Sequence, residues 1–263
     1  MALDVKPLFT QCVCLARLDE TMAKLNGTPE QLIGLVMDQA DLGQVERAMR
    51  QLLHMPHVET IDGLLLNAAV FGGNCTTTTQ GHETTFGVNH LSHYVMVEWL
   101  KERLIKSAPS RIVIMSSESH RMPRISSIRY EDFSPAPSGY WSLLAYNRSK
   151  FANMLHMSHL SRQMSNSGVN VYACHPGNMI RSSITREWWL WKLVFWMASP
   201  ITKSLSQGAA TGLNCLVRPE TANFSGQYWN QCRPCNPLPA ATDAGLVVEM
   251  DKLSQALTRE FLP

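Results

Sequence analysis

The 263-residue sequence has little excess charge of either sign and no long uninterrupted apolar run. Its 23 lysine and arginine residues stand against 21 aspartate and glutamate residues, which leaves a formal net charge of +2. So small an excess gives no reason to expect nucleic acid or an anionic membrane as the main partner. Because no apolar run reaches the roughly 18 residues that a membrane span needs, we expect no transmembrane segment.

The first residues also lack the basic region and apolar stretch of a secretory signal peptide. The seven cysteines are odd in number and scattered, which favours a reduced protein in the cytoplasm over an exported protein held by disulfides. Cys232 and Cys235 form an isolated C-x-x-C, and a zinc site would need a second pair nearby. We therefore expect no metal.

Apolar residues make up 45% of the chain and charged residues 17%, which excludes global disorder and suits one large domain over residues 1–263. Short apolar runs alternate with longer segments of helical period. The predicted strands are 11–16, 32–37, 63–66, 111–116, 169–175 and 226–229; the predicted helices are 18–25, 41–53, 83–106 and 145–164. This alternation is typical of an α/β fold with a doubly wound parallel sheet, whose ligands gather at the carboxyl ends of the strands.

The pattern that carries most chemistry is Tyr146-Asn147-Arg148-Ser149-Lys150. Four residues apart, Tyr146 and Lys150 share one face of a helix. A phenol with a pKa near 10 is a poor base at neutral pH, but a neighbouring ammonium favours the phenolate. Alone, this spacing is more often a surface pair than a catalytic one.

Its setting strengthens the catalytic interpretation. Further polar residues stand where predicted strands end or on the helix between them, namely Asn67-Ala68-Ala69, Asn89, Ser116-Ser117 and His175-Pro176-Gly177. A hydroxyl at the carboxyl end of a strand is well placed to bind a substrate oxygen. Satisfied turn residues explain each position singly but explain the set poorly.

In this order the set resembles the short-chain dehydrogenase/reductase family, with Asn67-Ala68-Ala69 at its N-[NA]-A-G motif. The resemblance implies that Tyr146 exchanges a proton with the substrate oxygen while Lys150 lowers its pKa. It also implies that Ser117 orients the substrate oxygen, with Ser116 as the alternative, and that Asn89 positions a water that relays protons to Lys150.

The resemblance further implies a nicotinamide cofactor and a Rossmann-like fold. Arg17 stands where family members read a 2′-phosphate, so NADP is favoured over NAD, and Asp38 would contact the adenine. The remaining cofactor contacts implied are Asn67, Ala68, Lys150, Pro176 and Gly177. The apolar segment 188–197 is consistent either with a lid over a lipophilic substrate, such as a steroid or retinoid, or with ordinary packing.

One family motif is not found. The T-G-x-x-x-G-x-G turn that cradles the pyrophosphate has no counterpart before Arg17, since the first glycine is Gly27. We therefore expect the domain to lack the first strand–turn–helix unit, so that 11–16 and 63–66 either leave inner edges open or pair directly. The departure keeps a second hypothesis open, a catalytically impaired module that binds proteins in signalling connected with cell death. A homodimer, and a nuclear or mitochondrial location, are further expectations by resemblance.

Overall fold

The computed structural model describes residues 8–12, 15–25, 28, 31–56, 58–123, 125–134, 137–177 and 204–263. The strands are β1 Leu8–Cys12, β2 Leu32–Val36, β3 Gly63–Leu66, β4 Ser110–Met115, β5 Val169–His175, β6 Gln227–Asn230 and β7 Arg233–Cys235. The α-helices are α1 Leu15–Lys24, α2 Leu42–His54, α3 Thr84–Phe86, α4 Ser92–Lys106, α5 Tyr130–Phe133, α6 Ser142–Gln163, α7 Leu205–Val217 and α8 Ala244–Thr258. A π-turn at Gly87–Leu91 joins α3 to α4, and 3₁₀ turns lie at Glu118–Arg121, Pro137–Gly139, Pro219–Phe224, Pro239–Thr242 and Arg259–Phe261.

The strands form two sheets. β1 and β2 pair in parallel, and the second sheet has the order β3-β4-β5-β6-β7, parallel except for the β6–β7 hairpin. Within the described ranges, one edge of β1 and one edge of β3 have no strand beside them. Of the two expected arrangements, the described residues therefore show one unpaired edge each on β1 and β3 and no pairing between these two strands.

The central strands are covered on both faces, as a doubly wound sheet requires. Along β4, Ile112 and Ile114 belong to the larger core with α2, α4, α6 and α8. The alternate residues Val113 and Met115 pack on the other side with Cys215 of α7. This two-residue alternation follows from the strand period, and it confirms the predicted fold class.

Side-chain caps fix the starts of several helices. Asp41 accepts a hydrogen bond from the Gly43 amide at the start of α2, and Asp243 accepts one from Leu246 in α8. Ser204 and Gln207 form a reciprocal capping box on α7. Such caps satisfy amide groups that the first helical turn leaves without partners.

The first predicted strand is displaced. The apolar run at 11–16 suggested a strand there, but β1 is Leu8–Cys12 and α1 already begins at Leu15. The pairing of Leu8 with Leu32 and of Cys12 with Val36 sets these limits, because β1 extends only as far as its partner. Segment 188–197, the suggested lid, lies outside the described residues. None of the described helices combines the length and apolarity needed to cross a membrane.

Candidate active site

The carboxyl ends of three parallel strands meet at one edge of the larger sheet. Leu66 pairs with Ile114, and Met115 pairs with Cys174, so the residues that follow these strands lie side by side. Asn67 follows β3, Ser116 and Ser117 follow β4, and Pro176 and Gly177 follow β5. The edge predicted to hold ligands therefore carries the predicted polar residues.

Tyr146 lies in the second turn of α6, facing this edge. Its hydroxyl interacts with the Ser117 side chain, which acts to lower the pKa of the phenol. The Phe71 ring, from the loop after β3, packs edge-on against the Tyr146 ring with 4.9 Å between centroids. Burial raises the pKa of Tyr146 to about 12 in spite of this interaction. In this arrangement the phenol stays protonated at neutral pH.

Lys150 follows one turn later on α6, and its ammonium is bound to a backbone carbonyl. Nζ donates to the Met115 carbonyl over 2.9 Å and lies 5.5 Å from the Tyr146 ring centroid. Burial lowers the pKa of Lys150 to about 8. Burial is the main cause of the Tyr146 shift in this arrangement, and the lowering of its pKa by Lys150 stays a prediction.

The two serines after β4 have different partners. Ser116 is buried, and its hydroxyl donates to the Lys150 backbone carbonyl over 2.9 Å. Ser117 is partly exposed and interacts with Tyr146. Ser117 is therefore the serine next to the phenol, and Ser116 ties β4 to α6.

A π-turn interrupts the long helix at the expected asparagine. The Ser92 amide donates to the Gly87 carbonyl five residues back, and the Ser92 hydroxyl donates to the Val88 carbonyl over 2.8 Å. A Cβ at Gly87 would come within 2.4 Å of Thr78 Cγ2, so a larger residue there would force the Thr78 side chain to move. Such turns occur frequently at functional sites.

Asn89 lies inside this π-turn and is fully buried. Its Oδ1 accepts from the Val70 amide over 2.7 Å, and its Nδ2 donates to the Val70 carbonyl and the Ser149 hydroxyl. The side chain therefore anchors the loop after β3, which carries Phe71 against Tyr146. It is fully engaged in this role, so any water would have to be held by another group of the turn.

The residues expected to bind cofactor are placed as follows. Asp38 follows β2, and its Oδ1 accepts from the Ala40 amide over 2.9 Å. Asn67 is exposed, Ala68 is half-buried, and Gly177 adopts a φ of 110° that favours glycine. The backbone of Arg17 lies in α1, and its side chain is outside the described part of the structure.

The polar groups of these residues suit the nicotinamide end of a nicotinamide cofactor better than its pyrophosphate. Hydroxyl, amide and ammonium groups at the β3–β5 edge suit a ribose and a carboxamide. Among the described residues before β3, the glycines are Gly34 inside β2 and Gly43 inside α2, and neither forms a phosphate-binding turn. The described ranges contain no cluster of three or more histidine, cysteine or acidic side chains suited to a metal ion.

A buried histidine cluster consists of His90 in the π-turn, His93 in α4 and His156 in α6. His90 contacts Asn153 Oδ1 over 3.3 Å and Ser254 Oγ over 2.8 Å, and its ring centroid is 5.7 Å from that of His156. The ring nitrogens of His93 and His156 have no hydrogen-bond partner among the described residues. Burial lowers the pKa of His90 to about 4 and that of His93 to about 3, and it lowers the pKa of His156 strongly.

Sequence reasoning missed several residues that shape the site. Phe71 carried no signal beyond its place after Asn67-Ala68-Ala69. Glu118, directly after Ser117, accepts from the Tyr228 hydroxyl over 2.8 Å and from Asn230. The polar run that follows Ser117 was the available signal for Glu118, because it stands at the end of a buried strand.

Comparisons with known proteins agree on one family. A family model described as short chain dehydrogenase matches residues 10–131. The WW domain-containing oxidoreductase of Gallus gallus is 43% identical over 203 residues, which cover 76% of this chain and 49% of that protein. Retinol dehydrogenase 14 of Mus musculus is 32% identical over 239 residues, which cover 88% of this chain and 69% of that protein.

The solved structures agree in fold. The NADPH-bound carbonyl reductase from chicken fatty liver superimposes with a TM-score of 0.61 at 16% identity, covering 86% of this chain and 85% of that one. At so low an identity the likeness concerns the fold alone. The chain spans about half the length of the WW domain-containing oxidoreductases that it matches.

Proposed function

This chain belongs to the short-chain dehydrogenase family, and on that premise we propose that it is an NADP-linked oxidoreductase acting on a lipophilic alcohol or carbonyl. The observation that carries the proposal is the interaction of the Ser117 side chain with the Tyr146 phenol at the carboxyl edge of the sheet. Two adjacent hydroxyls on different elements can hold a single substrate oxygen. Lys150, one turn along α6, supplies the positive charge that such chemistry needs.

In the proposed mechanism, Tyr146 gives a proton to the carbonyl oxygen during reduction and takes it from the alcohol during oxidation. Ser117 donates to the same oxygen and fixes its position. The nicotinamide cofactor, when bound, supplies or accepts the hydride. Lys150 has to leave the Met115 carbonyl to stabilise the Tyr146 phenolate, and that movement brings the phenol pKa down from about 12.

We assign the cofactor contacts by the residues present. Lys150 and Asn67 would hold the nicotinamide ribose, and Pro176 and Gly177 would border the nicotinamide. Asp38 would contact the adenine, and Arg17 would neutralise a 2′-phosphate, which is the reason to favour NADP. The gap in this assignment is the pyrophosphate, so we expect affinity weaker than a glycine-rich turn provides.

A lipophilic substrate is supported by apolar side chains around Tyr146. Phe71 contacts the ring itself, and Met122 Sδ contacts Asn147, the residue after it. Met122 is 64% exposed, and Trp141, which precedes α6, is 60% exposed. Exposed large apolar groups on the segments next to a site are typical of sites that bind apolar ligands. The similarity to a protein named retinol dehydrogenase 14 favours the same class.

The proposal is tested by binding and by turnover. NADPH titrated into the protein should give saturable enhancement of its fluorescence, and the protein should oxidise NADPH with retinaldehyde or a steroid ketone. Tyr146→Phe should abolish turnover and keep NADPH binding. Tyr130→Phe, which removes a phenol from α5, is the matched control and should change neither.

Absence of saturable NADPH binding would overturn the proposal and favour the alternative, a non-catalytic module that binds other proteins. Binding without turnover on any carbonyl, or turnover that survives Tyr146→Phe, would instead reject the assigned chemistry. NADH titrated in parallel tests the preference for NADP, which equal affinity would contradict.

A further inference from the structure

We propose that His120 is a positioning residue for Ser117. Its ring forms one hydrogen bond with the Ser117 carbonyl and one with Leu238 in the segment after β7, and we call this pair of hydrogen bonds the clamp. The inference deepens the proposed function and depends on it for its catalytic meaning. It concerns a residue of the 3₁₀ turn Glu118–Arg121 that directly follows the strand end.

The hydrogen bonds of the His120 ring define a single tautomer. Nδ1 lies 2.6 Å from the Ser117 carbonyl oxygen, and because a carbonyl can only accept, Nδ1 carries the proton and donates. On the other side of the ring, the Leu238 amide donates to Nε2 over 3.3 Å, so Nε2 presents its lone pair. A neutral imidazole therefore bridges Ser117 and Leu238, with both nitrogens satisfied.

The surroundings keep the ring neutral and in place. His120 has no exposed surface, and burial is the main cause of its lowered pKa. Tyr228 packs edge-on against the ring with 4.8 Å between centroids, and its hydroxyl donates to Glu118 Oε1. The clamp thus joins three strands, since Ser117 follows β4, Tyr228 belongs to β6 and Leu238 follows β7.

Ser117 is held by several hydrogen bonds, two of which come from His120. Its carbonyl accepts from both the backbone amide and the ring of His120, and its Oγ accepts from the Ser119 amide over 3.2 Å. With the ring bond removed, the peptide after Ser117 can rotate and carry Oγ away from Tyr146. A displacement of about 1 Å at a reacting group can lower a rate on the order of 100-fold.

Two amide substitutions separate the two halves of the clamp. In His120→Asn the side-chain amide reaches the place of Nδ1 and can still donate to the Ser117 carbonyl. In His120→Gln the longer side chain reaches the place of Nε2 and can still accept from Leu238. We expect kcat on a carbonyl substrate to stay within about 3-fold for His120→Asn and to fall on the order of 100-fold for His120→Gln, with KM for NADPH unchanged in both.

A double-mutant cycle with Ser117→Ala distinguishes positioning from a general role in folding. If His120 acts through Ser117, His120→Gln should lower kcat by less than about 3-fold in the Ser117→Ala background. An equal loss of kcat in both backgrounds, or wild-type kcat in His120→Gln, overturns the proposal. Thermal unfolding of each variant shows whether the kinetic comparison is made on folded protein.

The clamp also has a readout that needs no turnover. Nitrogen-15 spectra of the wild-type histidines should show His120 protonated at Nδ1 and unprotonated at Nε2 at pH 7. The Nε2–H tautomer or a doubly protonated ring overturns the inference even in an active enzyme. A wild-type protein that binds NADPH without turnover while showing the Nδ1–H tautomer would instead count against the proposed function and leave the clamp standing.

Discussion

Acidification should destabilise this protein well above the pH at which carboxylates titrate, because the histidine cluster is buried without charge partners. His90, His93 and His156 all have folded-state pKa values below the ordinary 6.5. In the unfolded chain they bind protons as pH falls through 6.5, whereas in the folded protein they stay neutral. Their contribution to stability is therefore complete above pH 6.5 and is lost as pH falls toward 4 and 3.

The magnitude follows from proton linkage. Between pH 7 and pH 5, a histidine with an unfolded pKa of 6.5 and a folded pKa of about 4 or 3 costs about 1.9 kcal/mol of unfolding free energy. His90 and His93 together then remove about 4 kcal/mol, and His156 acts in the same direction. A domain of typical stability has only about 5–15 kcal/mol, so a loss of about 4 kcal/mol within two pH units is a large fraction of it.

Urea unfolding followed by circular dichroism at pH 7, 6 and 5 measures this loss directly. His93→Leu removes one titrating ring that has no hydrogen bond, and its free energy of unfolding should fall about 2 kcal/mol less than that of the wild type over the same interval. His54→Leu, the same change at an exposed site of α2, should follow the wild-type pH dependence. Equal losses in His93→Leu and wild type, or a wild type equally stable at pH 7 and pH 5, would refute the reasoning.

Three further predictions concern the site and the sheet. Ser117→Ala should lower kcat on the order of 100- to 1000-fold. Ser116→Ala should instead act mainly on stability, with a lowered melting temperature and little change in kcat. Kinetics and thermal unfolding of both variants check this, and a larger loss of kcat in Ser116→Ala than in Ser117→Ala would contradict it. Alcohol oxidation should rise with pH through an apparent pKa below that of free tyrosine, and Lys150→Ala should move this limb upward; a pH profile unmoved in the variant would contradict the role of Lys150, with the value belonging to the coupled site. A strand–turn–helix unit carrying T-G-x-x-x-G-x-G, joined before residue 8, should pair with the unpaired edges of β1 and β3. It should raise both the melting temperature and NADPH affinity. Unchanged values of both would contradict the interpretation that a strand is missing between β1 and β3.

The elements whose limits the sequence predicts best are short, largely apolar runs with polar or turn residues on either side. Strands β3 and β5 are of this kind and have the predicted limits, 63–66 and 169–175. Strand β1 was displaced because its limits depend on β2, which the local pattern does not contain. Helices α7 and α8 were not predicted, since α7 carries no charged residue to mark a solvent face.

Some features of the site could likewise be predicted from the sequence, and others could not. Tyr146, Ser117 and the strand ends could be located from spacing, because topology alone brings the ends of parallel strands together. The contact of Lys150 with the Met115 carbonyl could not, because it depends on the rotamer of a long side chain. The raised pKa of Tyr146 also escaped prediction, since it depends on burial by Phe71 and its neighbours rather than on sequence distance to Lys150.

The π-turn at Gly87–Leu91 has a consequence for helical phase. Its five-residue closure takes up one residue more than an ordinary turn, so every side chain after it is rotated relative to a regular helix. Deleting a single residue there would restore α-helical hydrogen bonding and keep α3 and α4 joined as one continuous helix. It would also turn one half of the helix by about 100° against the other and separate Asn89 from Val70 or α4 from its core contacts. The alignment of site and core on this helix therefore depends on an insertion of one residue.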